Sequence, residues 1–313
     1  MIDILIRTLP FFAIIGLGYW AGRTRFFTEE ATAYLTKFVF YFPLSAMLFR
    51  FSSNLSLGDV YSTRFALAYL TGCITVYLLA TAVAVFRRLS LGEAAIEAQC
   101  AIIGNTGFLG VPMLTAIMGK QAAGPILLCL SIDLIVFSSL FTLLINLARS
   151  GRVTLRVFKV IGKGLLGNPM IVSMGAGLIW ASTGAPVPGP LNDFAGLLGA
   201  AATPGALFAI GASLASKSAE RMQVAGWLSF CKLVLHPSAV AISALLIFHV
   251  DLASASVMIA AASLPVAGNV YMLAQHYGVA PQRVSASILI STVVSILTVP
   301  FVIAWVDMLQ GTS

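Results

Sequence analysis

The 313-residue chain is 59% hydrophobic and only 9% charged, with a net charge of +7 and a mean hydropathy of +0.98. Soluble domains carry roughly 25% charged residues, so the composition excludes a soluble globular protein and marks an integral membrane protein. The basic residues fall in short loops rather than along one face, which excludes nucleic-acid binding and instead marks one side of a bilayer.

The first apolar stretch, residues 1–21, has Arg7 as its one basic residue and no small-residue cleavage site before the charged loop at Arg23. It reads as a retained span and not as a signal peptide. Stretches of the length a membrane helix needs then recur, and ten spans are expected near 3–21, 31–49, 65–86, 97–118, 124–148, 168–183, 192–215, 226–248, 253–276 and 284–306. This frame agrees with the charges. Loops after odd-numbered spans hold twelve basic residues: Arg23, Arg25, Arg87, Arg88, Arg149, Arg152, Arg156, Lys159, Lys163, Lys217, Arg221 and Arg283. The other side holds four: Arg7, Arg50, Arg64 and Lys120. The bias places both termini outside and the 149–167 segment, a basic loop, in the cytoplasm of a multi-pass cell-membrane protein. The chain divides into a first five-span repeat over 1–148, that loop, and a second repeat over 168–313.

In the fourth span the run Ile103-Gly104-Asn105-Thr106-Gly107-Phe108-Leu109-Gly110-Val111-Pro112-Met113 carries three glycines, a proline and an asparagine. Glycine and proline weaken a helix interior, and broken helix survives at membrane depth only inside protein or beside a water-filled cavity. The ninth span carries a matching interruption, Leu264-Pro265-Val266-Ala267-Gly268-Asn269. Two such breaks in corresponding positions point to the binding site of a secondary transporter. Asn105, Gly107, Gly110, Pro112, Pro265 and Asn269 are the candidate substrate-binding residues, the amides contacting an anionic group and the glycines and prolines shaping the backbone. The bland alternative is that Gly104, Gly107 and Gly110, spaced by three, permit close helix packing.

Asp133 in the fifth span and Lys232 in the eighth are buried ionisable residues within apolar runs, and such residues are functional candidates. They are expected to pair behind the breaks, either as a fixed brace or as an element coupling transport to protons. His236, one turn after Lys232, reads as a hydrogen-bonded packing residue. Cys73, Cys100, Cys129 and Cys231 read as small buried hydrophobes. No metal-ligand spacing, GxSxG, P-loop or HExxH occurs, so no metal, cofactor or enzymatic reaction is expected. A coupling ion, H+ or Na+, is the remaining small-ion partner.

The halves repeat each other. Pro10, Gly16, Gly18 and Trp20 are echoed by Pro169, Gly175, Gly177 and Trp180, Pro43 by Pro204, and Asn105 by Asn269, at offsets between 159 and 164. A five-span repeat enters the membrane the opposite way the second time, so the two are an inverted pair. The resulting fold class is an all-α polytopic membrane protein with ten transmembrane helices.

Asn105 to Pro112, then Asn168-Pro169 with Gly177-Leu178-Ile179-Trp180, Ala206 to Gly211, and Leu264-Pro265 through Ala274 resemble, in order, the signatures of the auxin efflux carrier family. The chain lacks the long central loop of plant members and is similar to the compact bacterial type, a group with proteins described as malonate or other carboxylate permeases. The resemblance implies a fold shared with bile acid symporters and sodium/proton antiporters. Spans one, two, six and seven would form a scaffold, the other six a core, and discontinuous helices four and nine would cross at the midplane. It also implies location in a bacterial inner membrane, and homodimers through the scaffold helices. The expected function is secondary active transport of a small organic anion, malonate- or auxin-like, by alternating access. A passive facilitator or channel for such anions is the alternative; a receptor or membrane enzyme is disfavoured by the shortness of the loops.

Overall fold

The computed structural model describes residues 2–55, 62–152, 155–216 and 222–311. Lys217 and Arg221 of the charge count lie outside them. Among the described residues the secondary structure is helical, apart from one isolated backbone bridge.

The helices are α1 (Ile2–Arg23), α2 (Glu29–Ser53, interrupted before Pro43), α3 (Thr63–Phe86), α4 (Leu91–Ile102) and α5 (Thr106–Met118). They continue as α6 (Lys120–Ser150), α7 (Leu155–Leu166), α8 (Pro169–Ser182) and α9 (Gly189–Ala215). The last four are α10 (Met222–Ile247), α11 (Leu252–Ala262), α12 (Gly268–Tyr277) and α13 (Pro281–Gly311). Seven of these, α1, α2, α3, α6, α9, α10 and α13, are long and apolar enough to cross a membrane, and α8 with the helix before it makes an eighth candidate.

Starts are set locally by oxygen-bearing side chains that satisfy otherwise orphaned N–H groups. Thr28 accepts from Ala31 N, Ser62 from Phe65 N and Asp251 from Ser254 N. Ser90 and Glu93 close a reciprocal capping box at α4. The segment expected as a loop over 149–167 is not one throughout. It contains α7, because Val157, Ile161 and Leu165 recur at helical spacing and give the helix a face to pack.

The packing is reciprocal. α1 lies on the second half of α9, and α8 lies on the second half of α2. A Cβ on Gly18 would strike the Phe208 carbonyl, and a Cβ on Gly177 would strike the Phe49 carbonyl. These are equivalent contacts, each pair shifted by the same 159 residues. Close backbone approach through glycine is how helices associate where no hydrophobic drive separates protein from lipid.

The basic residues after α3, α6 and α12 gather at one end. Arg87 and Arg283 both reach the buried Glu97, at 2.7 and 3.0 Å, and Arg283 also reaches Glu93 at 2.9 Å. Arg149 donates to the Tyr277 carbonyl at 2.5 Å and stacks over its ring. Arg50, outside this group, donates to Asn192 instead.

Candidate functional site

Both interruptions expected from the sequence are present, and they meet. α4 ends at Ile102 and the chain runs extended through Ile103 before turning back into helix at Thr106. α11 ends at Ala262, and the chain resumes as helix at Gly268. Between these ends Gly104 and Val266 form an antiparallel bridge. Asn105 N donates to Pro265 O at 2.8 Å, and Ala267 N donates to Ile103 O at 3.0 Å. Each broken segment thus satisfies the other's backbone, which hydrocarbon would otherwise penalise. Ser291 of α13 adds a third partner, its Oγ accepting from Val266 N at 3.1 Å.

The first turn after the break, Thr106–Gly110, is a π-helical turn in which Leu109 N and Gly110 N share the Asn105 carbonyl. π-turns recur at functional sites. Two more hold the buried charges: Asp133–Phe137 and Cys231–Leu235.

A cavity of about 540 Å³ lies beside the break. Asn269, at the start of α12, lines it, as do Asn168 at the start of α8, Phe40, Thr142, His276 and Tyr277. Residues at the starts of two helices therefore line one cavity, and helix N-termini carry partial positive charge that favours anions. The Asn269 Oδ1 is buried without a hydrogen-bond partner among the described residues, while Asn168 Oδ1 caps Met170 N at 2.9 Å. His276 and Tyr277 place the cavity at the basic end of the molecule.

The other expected substrate residues are positioned differently. Asn105 is buried at the bridge, and Pro265 offers its carbonyl to it. A Cβ on Gly107 would come within 2.5 Å of Met170 Cε, and one on Gly110 within 2.6 Å of Leu264 Cδ1. Both glycines, like Pro112 at the start of the α-helical part of α5, sit in packed protein. Of the six, Asn269 alone lines the cavity.

Asp133 and Lys232 are both buried behind the bridge but form no ion pair within 4.0 Å. Each has a different partner. Tyr69 donates to Asp133 Oδ1 at 3.1 Å, and Asp133 Oδ2 is left without a partner among the described residues. Lys232 Nζ donates to the Ala262 carbonyl at 2.5 Å, at the buried C-terminal end of α11, where partial negative charge accumulates. Lys232 also bonds His236 Nδ1 at 3.1 Å, and His236 Nε2 lies 3.2 Å from Cys73 Sγ. The Tyr69 and His236 rings stand 6.1 Å apart and close a chain of contacts from carboxylate to ammonium. Sequence reading missed Tyr69, because an aromatic in an apolar run carries no sign of its hydroxyl's partner. Lys232 and His236, at i, i+4 spacing, share a helix face, which is how they meet.

Comparison with known proteins identifies a family of membrane transporters. The family described as "Membrane transport protein" matches residues 3–303. A Rhizobium meliloti (strain 1021) protein named "Putative malonate transporter" is 31% identical over 302 residues, covering 96% of this chain and 94% of its own. "Uncharacterized transporter YfdV" of Escherichia coli (strain K12) is 25% identical over 301 residues, covering 93% and 94%. The family and these relatives are transporters, not enzymes. The chain is a multi-pass membrane protein and belongs to the membrane transport protein family, the family of the auxin efflux carriers.

Proposed function

We propose that this protein is a secondary active transporter of a small organic anion, a mono- or dicarboxylate of the malonate class, working by alternating access. One observation carries the reading. Two broken helices are pinned to each other through backbone hydrogen bonds beside a cavity lined by residues at the starts of two helices. An anion is the ligand such a site stabilises. The name of the Rhizobium meliloti relative points the same way.

The frame is ten spans in two inverted repeats. The seven long apolar helices and α8 supply eight, and the broken pairs α4–α5 and α11–α12 supply the fourth and ninth. The reciprocal packing of Gly18 on Phe208 and Gly177 on Phe49 supports the repeat. So does the bridge, since Gly104 and Val266 are 162 residues apart, inside the 159–164 range of the other repeated positions. α1, α2, α8 and α9 form the scaffold, and the broken helices travel with the core. Both termini lie outside, so the cavity faces the cytoplasm.

Asp133 carries the coupling proton. Its Oδ2 is buried and unpartnered, and a carboxylate so placed is costly to keep charged in a membrane.

The test is uptake of labelled malonate into proteoliposomes under an imposed pH gradient. Accumulation above the outside concentration, lost in Asn269→Ala, is expected. Equilibration without accumulation would demote the protein to a facilitator. Failure of malonate and other short carboxylates to compete with one another would remove the anion reading.

A further inference from the structure

α7 is joined to α8 by a sharp bend: the axes of Val157–Leu166 and Pro169–Ser182 differ by 69°. The bend is written in the sequence. Asn168 precedes Pro169, is held extended with φ −85° and ψ 112°, and caps α8 with its own side chain. With α8 crossing the membrane, α7 must run close to the plane of the interface.

Its two faces differ. Val157 is buried, and Val160, Ile161 and Leu165 line the cavity. Away from the cavity the helix exposes Leu155 and Leu166 together with Lys159 and Lys163, and Phe158 is exposed at the edge between the two faces, beside Leu165. Leu155 and Leu166 are 88% and 79% accessible, so no other described part of the protein covers them. The positive charge is also unbalanced: residues 149–167 contain five basic residues and no acidic one, and neither lysine makes a salt bridge among the described residues. Apolar side chains interleaved with lysines on an in-plane helix are the pattern that binds an anionic membrane surface.

We propose that α7 docks anionic phospholipid headgroups through Lys159 and Lys163, with Leu155, Phe158 and Leu166 seated at the acyl boundary. The lipid thereby holds one wall of the cavity in place, because the reverse face of the same helix lines it. The inference uses only the membrane location of the chain and not the identity of the transported anion.

The experiment uses the full-length protein with Phe158→Cys labelled by an environment-sensitive fluorophore. The four native cysteines are buried, so labelling is selective. The protein is reconstituted in mixed phosphatidylcholine and phosphatidylglycerol vesicles in which one or the other lipid is brominated. Quenching by brominated phosphatidylglycerol is expected to exceed that by brominated phosphatidylcholine by about twofold or more at equal mole fraction. The preference should vanish in a Lys159→Gln/Lys163→Gln background. Equal quenching by both lipids, or a preference that survives the double substitution, overturns the proposal. Absence of quenching by either lipid also overturns it, since a protein surface would then cover the helix. Native mass spectrometry of the unlabelled protein gives an independent reading: retained phosphatidylglycerol must fall in the double variant.

Discussion

Lys232 donates from Nζ to the carbonyl of Ala262 at 2.5 Å, so the buried ammonium sits on the broken end of α11 instead of on Asp133. A helix C-terminus leaves carbonyls without partners and concentrates partial negative charge there. The lysine neutralises that end where water cannot. Gly104 leaves room for it, since a Cβ there would lie 3.3 Å from both Cε and Nζ.

Lys232→Met keeps the length of the side chain and removes the donor. Transport should fall by an order of magnitude or more, and stability should fall by about 1 kcal/mol, the scale of one interhelical hydrogen bond in a membrane. Thermal unfolding in detergent, run beside proteoliposome uptake, separates the two effects. Wild-type uptake in this variant would show that the end of α11 needs no cation.

Asp133→Asn should retain binding of the anion while losing the dependence of uptake on an imposed pH gradient. Tyr69→Phe, which removes the hydroxyl donating to Asp133 Oδ1, should shift the pH profile without abolishing it. Unchanged coupling in Asp133→Asn would return this carboxylate to a purely structural role.

Phe40 of α2 stacks on Phe108 of α5 with centroids 6.1 Å apart and planes within 7°. One ring belongs to the proposed scaffold and the other to the broken helix, so movement of core against scaffold must slide one over the other. Phe108→Ala should alter the maximal rate far more than the apparent affinity. A change confined to affinity would place Phe108 on the substrate instead.

Gly18→Val and Gly177→Val should destabilise to a similar extent, by about 1–3 kcal/mol each as overpacking of a tight contact does. Gly175→Val is the control, because nothing lies within 4 Å of a Cβ built there. Comparable losses at the two reciprocal glycines, read as shifts in Tm, would be the energetic signature of the repeat.

Glu97→Gln should destabilise more than Glu93→Gln. Glu97 is 2% exposed and holds two guanidinium groups, whereas Glu93 is 30% exposed and shares Arg283 with it. Removing one member of a buried ion cluster leaves the others uncompensated and costs about 3–5 kcal/mol, while a half-exposed pair contributes little.

Much of this was legible in sequence because membrane insertion leaves coarse marks. The glycines and prolines at 104–112 and 265–268 announce the breaks, and a charged residue such as Asp133 stands out in an apolar run. What stayed hidden lies in the backbone. Nothing in the identities of Ile103, Val266 or Ala267 says that they pair, since their N–H and C=O groups are common to every residue. For the same reason Lys232 was expected to seek the one acidic side chain at its depth, when a carbonyl at a helix end was the nearer acceptor. α7 lies within the segment that its five basic residues mark as a loop, although Val157, Ile161 and Leu165 recur every four residues.

The two backbone bonds between Ile103–Asn105 and Pro265–Ala267 act as a rivet. The segments that they join are 162 residues apart in the sequence. In the transport cycle proposed above, a ligand held by one broken helix would therefore be carried by both.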